Sequence, residues 1–174
     1  MRLRSFILDP GFIQYQSRDT MSLFDQLKEK SNAASTPGGM QEQAQFVEYI
    51  KLQAYADQYI DRQEEYRILE KGIDLGIAID QGRKLLEDTA ARMNWVLESA
   101  IEDKAVEQLA TYADAHKHVD KKGFMQIANQ LSQASQGQIK EDEAKRRLKK
   151  MLLDRGIAYR EGGVFGSDWL SDIH

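Results

Sequence analysis

The residues best suited to ligand chemistry lie in Asp114-Ala115-His116-Lys117-His118-Val119-Asp120, where oxygen or nitrogen donors stand at every second position. In extended backbone, alternate side chains project to one side. Imidazoles and carboxylates together form a donor set suited to zinc, nickel or manganese. Asp114, His116, His118 and Asp120 are therefore the candidate metal ligands. The spacing is not that of a calcium-binding EF-hand: counting from Asp114, Val119 stands where that loop needs glycine, and Met125 where it needs a bidentate glutamate. A second reading needs no metal: Asp114 closes one helix, Asp120 caps the next, and both histidines face water. The second reading is the favoured one, and no metal or cofactor is expected.

The same stretch, Ala113 through Phe124 followed by Ile127 and Leu131, resembles the "A-x-A-D-G-x-v-x-x-x-E" helix–turn–helix segment of the tellurite-resistance TerB-like helical domains. The resemblance spans residues 105–131. The family's glycine after the acidic turn is absent, and Gly123 or Phe124 stands in place of its glutamate. What the resemblance implies is a small all-α bacterial module with interaction and stress-associated roles, often with metal.

Charge is densest in the stretch 145–155, where Lys145, Arg146, Arg147, Lys149, Lys150 and Arg155 follow Glu141, Asp142 and Glu143. Acids in the first turn of a helix and cations in later turns satisfy the macrodipole and form i,i+4 pairs. Phosphate binding through Lys145, Arg146, Lys149 and Lys150 is the alternative, although Ala144, Leu148, Met151 and Leu152 interrupt the cations. Catalytic signatures are absent: there is no G-x-S-x-G, H-E-x-x-H, P-loop or dinucleotide-binding glycine pattern. Asp61, Glu64, Glu65 and Glu70 read most simply as a solvated helix face. An enzyme is not expected.

The elements that position these residues are helical. Gln41 to Glu70 contains neither glycine nor proline; Ala44, Val47, Ile50 and Ala54 share one face, while Tyr55, Tyr59, Tyr66, Leu69 and Ile73 line another. A helix apolar on two sides is central or touches a partner, and a break in it is expected near Asp57 or Gln63. Gly72 and Gly76 mark an end near Leu75. Further helices are expected from Ile79 to about Trp95, Ile101 to Ala115, Lys121 to Leu131 and Glu141 to Asp154. Ile79-Asp80, Val119-Asp120 and Ile139-Lys140 repeat one helix-opening chemistry: an apolar residue docks on the first turn, and Asp80 or Asp120 caps it. The spacings of forty and twenty residues are not one period, so the pattern reads as repeated helix-entry chemistry, with degenerate internal duplication as an alternative, and not as a solenoid.

The ends differ from this body. Ser5 to Tyr15 reads as two short β-prone runs around Asp9-Pro10-Gly11, making residues 1–20 a leader or accessory arm, with Met21 an alternative start. A short helix and a linker closing on Pro37-Gly38 occupy 21–38; the helical domain is 39–157 and the tail 158–174. In that glycine-punctuated tail, Trp169, Leu170 and Ile173 form an i, i+1, i+4 set that either docks on a partner or folds back onto the core.

The 174 residues contain no cysteine, which removes disulfides and thiolate chemistry, and carry net charge −4, which gives no general attraction to phosphate. No apolar run approaches the roughly 20 residues of a membrane span. The expected molecule is all-α, a compact bundle of five or six helices, cytoplasmic and bacterial in style. Its expected role is binding a protein partner through Trp169, Leu170 and Ile173 or through Tyr55, Tyr59 and Tyr66. Self-association is left open.

Overall fold

The computed structural model describes residues 27–28, 39–160 and 169–174. The expected hairpin, the Met21 start, most of the 21–38 segment and residues 161–168 of the tail lie outside the described residues. Leu27 is helical and fully buried in one of the two cores.

Six helices are described, and the architecture is all-α. They are α1 Met40–Gln53, α2 Arg62–Asp74, α3 Ile79–Met93, α4 Glu98–His116, α5 Lys121–Ala134 and α6 Glu141–Asp154. Two-residue strands, β1 Tyr59–Ile60 and β2 Val96–Leu97, pair in parallel with Ile60 opposite Leu97. Val119 and Tyr159 form a single parallel bridge of the same kind.

The stretch expected as one helix, Gln41 to Glu70, is thus two helices with β1 between them. Gln58 sits at φ 59, a left-handed conformation that ends the helical path, and Asp61 then opens α2 with a reciprocal capping box with Glu64. Asp120 caps α5 by accepting from the Gly123 N–H at 2.7 Å. Asp80 caps nothing, because Ala78 is the N-cap of α3 and Asp80 lies in the first turn.

The chain is built from one unit used twice. Phe46 and Ala105, Ile50 and Leu109, Ile60 and Val119, Ile68 and Ile127, and Gly72 and Leu131 are buried pairs, each 59 positions apart. Gln58 and Lys117, at the same spacing, both adopt positive φ, and Asp61 and Asp120 are both N-caps. Beyond the central turn the spacing becomes 62. It then relates the buried pairs Ile77 and Ile139, Leu86 and Leu148, and Ala90 and Leu152, and the left-handed helix ends at Asn94 and Gly156. Each unit is therefore a helix, a strand residue, two further helices and a returning strand residue. Two separate cores follow, one around Phe46, Ile68 and Leu86, the other around Phe124, Leu148 and Trp169. Burial of such side chains contributes about 1.5–3 kcal/mol each.

Candidate functional site

Where the two units meet, side chains of α2, α4 and α6 form one continuous polar network. Glu98 and Glu102 open α4 directly after β2, so the parallel pairing with β1 brings them to Tyr59 and Arg62. The Tyr59 hydroxyl donates to Glu98 Oε2 at 2.6 Å. Arg147 Nη1 reaches Glu98 Oε1 at 2.9 Å and Glu102 Oε1 at 3.0 Å, while its Nε donates to Glu143 at 2.9 Å. Arg62 holds Glu102 Oε2 through Nε at 2.9 Å and Nη2 at 2.8 Å. Glu65 lies behind Arg62, with Oε2 3.7 Å from Nη1 and no hydrogen-bond partner for that buried oxygen.

A cleft of about 670 Å3 opens beside this network, lined among others by Arg62, Glu98, Glu102, Arg147 and Lys150. Arg62, Glu98, Glu102 and Arg147 are engaged with one another there. Burial, reinforced by the bond to Glu98, pushes the Tyr59 phenol well above its ordinary range, so it stays a proton donor. Burial opposes the charge of Arg147, but Glu143, Glu98 and Glu102 outweigh it and hold the guanidinium protonated. Burial likewise raises the Glu65 carboxyl, against the lowering effects of Ser99 and Arg62. The arrangement locks two helical units in one register and leaves neither arginine with a bare guanidinium.

These residues escaped sequence reasoning. Asp61, Glu64, Glu65 and Glu70 read as a solvated face, yet Asp61 and Glu64 form the α2 capping box and Glu65 is only 1% exposed. The signal that could have exposed the error is the Ile60-Asp61 pair, which repeats Val119-Asp120 at the opening of a helix.

The four candidate metal ligands do not converge. Asp114 and His116 belong to the last turns of α4, His116 stacks on Tyr112 with centroids 4.2 Å apart, and Asp120 is occupied as the α5 cap. The Gly123 N–H, followed by the Tyr112 hydroxyl, lowers the Asp120 carboxyl below its usual range. Among the described residues no three His, Asp or Glu side chains are grouped to hold a metal ion.

Lys145 pairs with Glu141 and Asp142 and Arg146 with Glu143, while Lys149 donates to the Ile173 carbonyl. Lys150 lines the cleft.

The six expected partner contacts separate. Trp169 and Leu170 are buried in the second core, and Ile173 packs on its edge, so the described part of the tail folds back. Phe124 lies 5.0 Å from Trp169, centroid to centroid, and the Trp169 indole donates to the Arg160 carbonyl. Tyr59 is buried at the seam, and Tyr66 is half-buried against the first core. Tyr55 alone of the six projects freely, 83% exposed, because the chain has left α1 at Ala54. Near it Leu52 is 73% exposed. A shallow groove of about 610 Å3 runs along α1, lined by Ala44, Tyr49, Leu52 and Leu75 with Glu48 and Lys71. Among the described residues no helix is long and apolar enough to cross a membrane.

Set against protein-family models, curated proteins and solved structures, the chain matches none of them.

Proposed function

We propose that the chain is a cytoplasmic, bacterial-type helical module that binds another protein. The observation that carries this reading is the outer face of α1, where exposed Leu52 lines a groove with Ala44, Tyr49 and Leu75, and Tyr55 stands exposed just past the helix end. Single exposed apolar residues are ordinary, whereas a contiguous patch rimmed by polar groups marks interaction sites. Glu48 and Lys71 form part of that rim here. Of the four cations named for phosphate binding, Lys145 and Arg146 pair with neighbouring acids and Lys149 is held by the Ile173 carbonyl, which supports a protein partner over nucleic acid. No catalytic role is assigned to the seam, where Arg62 and Arg147 are engaged by Glu98 and Glu102.

The test is affinity for a partner captured by the wild-type chain. Replacing Leu52 with Glu and Tyr55 with Ala should weaken that complex by about 2 kcal/mol or more. The same changes should move folding stability by no more than about 0.5 kcal/mol, as expected of surface sites. Unchanged affinity would remove α1 as the binding face.

A further inference from the structure

The groove along α1 has a counterpart in the second unit, and only the first is apolar. The spacing of 59 relates its wall residues Gln45, Tyr49, Lys71 and Leu75 to Lys104, Gln108, Gln130 and Ala134, which line a smaller groove of about 250 Å3 beside α4. On the outward stripe, Ala44, Tyr49, Leu52 and Tyr55 answer to Asp103, Gln108, Thr111 and Asp114, so all four become polar. Beneath the stripe the first unit packs Phe46 against Gly72, where the second has Ala105 and Leu131. The unit therefore folds with a polar stripe at this place, and the apolar one on α1 serves something outside it.

We infer that the α1 face is a two-fold interface between copies of this chain, with the two α1 helices antiparallel and crossing at Glu48. The face is complementary to itself, as such an interface requires. Ala44 lies one helical turn before Glu48 and Leu52 one turn after it, so the crossing sets the exposed Leu52 of each copy over the small Ala44 of the other. Tyr55 and Gln41 are likewise equidistant from Glu48 and meet in the same way. The charged groups that line the groove, Glu48 and Lys71, are opposite in sign, and each Glu48 comes to the other copy's Lys71. Lys51, 2.7 Å from Glu48 within its own chain, offsets the approach of the two carboxylates. With 14 residues α1 is about 21 Å long, so one helix pair buries less than the about 1,600 Å2 of a stable complex, and the dimer is reversible. This inference rests on the proposed protein-binding role of the α1 face and names its occupant.

Sedimentation velocity of the full chain over a wide concentration range tests this. A monomer–dimer equilibrium is expected, and Leu52→Glu should weaken it at least tenfold with an unchanged thermal melt. Glu48→Lys alone sets lysine against lysine at both contacts, and Lys71→Glu alone sets glutamate against glutamate, so each variant should stay monomeric where the wild type is dimeric. An equal mixture of the two should regain the dimer, because both contacts then join a lysine to a glutamate. Monomer at every concentration, a dimer indifferent to Leu52→Glu, or a mixture no more dimeric than its components would each overturn the inference. A monomer that loses a captured protein of another kind on Leu52→Glu would overturn the two-fold contact and leave α1 as the binding face. A monomer whose captured partner is indifferent to that change would overturn both.

Discussion

At the scale of single residues, Glu65 is the least expected feature of the chain. It occupies the position that Phe124 fills in the second unit, and one of its oxygens is buried without a hydrogen bond. Such an atom costs about 1–3 kcal/mol. Burial holds its carboxyl above the ordinary value of 4.5, so the folded state binds the proton more tightly than the unfolded chain. The stability linked to that proton is complete below the unfolded value and is lost as pH rises through the folded one. Glu65→Gln cannot ionise, and it should therefore melt above the wild type near neutral pH, with the difference closing below 4.5; thermal melts across pH check this. Nothing in the run Arg62 to Glu70 distinguishes a buried glutamate from a solvated one. The distinction exists only once Ser99 and Glu102 arrive from α4.

Helices were more legible than their interruptions. Glu141–Asp154 follows from its acidic first turn and apolar stripe, and the opening of α5 at Lys121 from the Asp120 cap and its own stripe. The α1–α2 break was only partly readable near Asp57, because Gln58 takes its left-handed conformation without the glycine or asparagine that usually announces one. In consequence Tyr55 and Tyr59 seemed to share a helical face, whereas one projects and the other is buried. Close helix approach supplies a prediction at this scale. A Cβ added at Gly72 would lie 3.1 Å from the buried Phe46 ring, and one at Gly82 would meet Leu69 at an ordinary 3.5 Å. Gly72→Ala should therefore lose about 1–3 kcal/mol through overpacking, while Gly82→Ala should gain up to about 1 kcal/mol from helix propensity; urea melts separate the two.

For the whole molecule, duplication explains why there are two cores and why a polar seam lies between them. Ion pairs taken out of water add little net stability, but they punish any arrangement that leaves one partner alone, which makes the seam a device for register. Arg147→Met should thus cost about 2 kcal/mol by leaving Glu98 without a cation while Glu102 keeps Arg62, and adding Glu98→Gln should recover part of that loss in the same melts. Helix-entry chemistry was visible in sequence at Val119-Asp120, but the repeat itself was not, because the counterpart of that pair, Ile60-Asp61, lies inside an apparently continuous helix and the counterpart of Ile139 is Ile77 and not Ile79. The proposed partner face lies along α1 and at Tyr55 just past its end. A photo-crosslinking amino acid placed at Tyr55 in cells of the native host, with Gln126 on exposed α5 surface as the control position, tests it. One discrete protein adduct is expected from position 55, lost with Leu52→Glu and not formed from position 126. Equal labelling from both positions, or an adduct indifferent to Leu52, would contradict it.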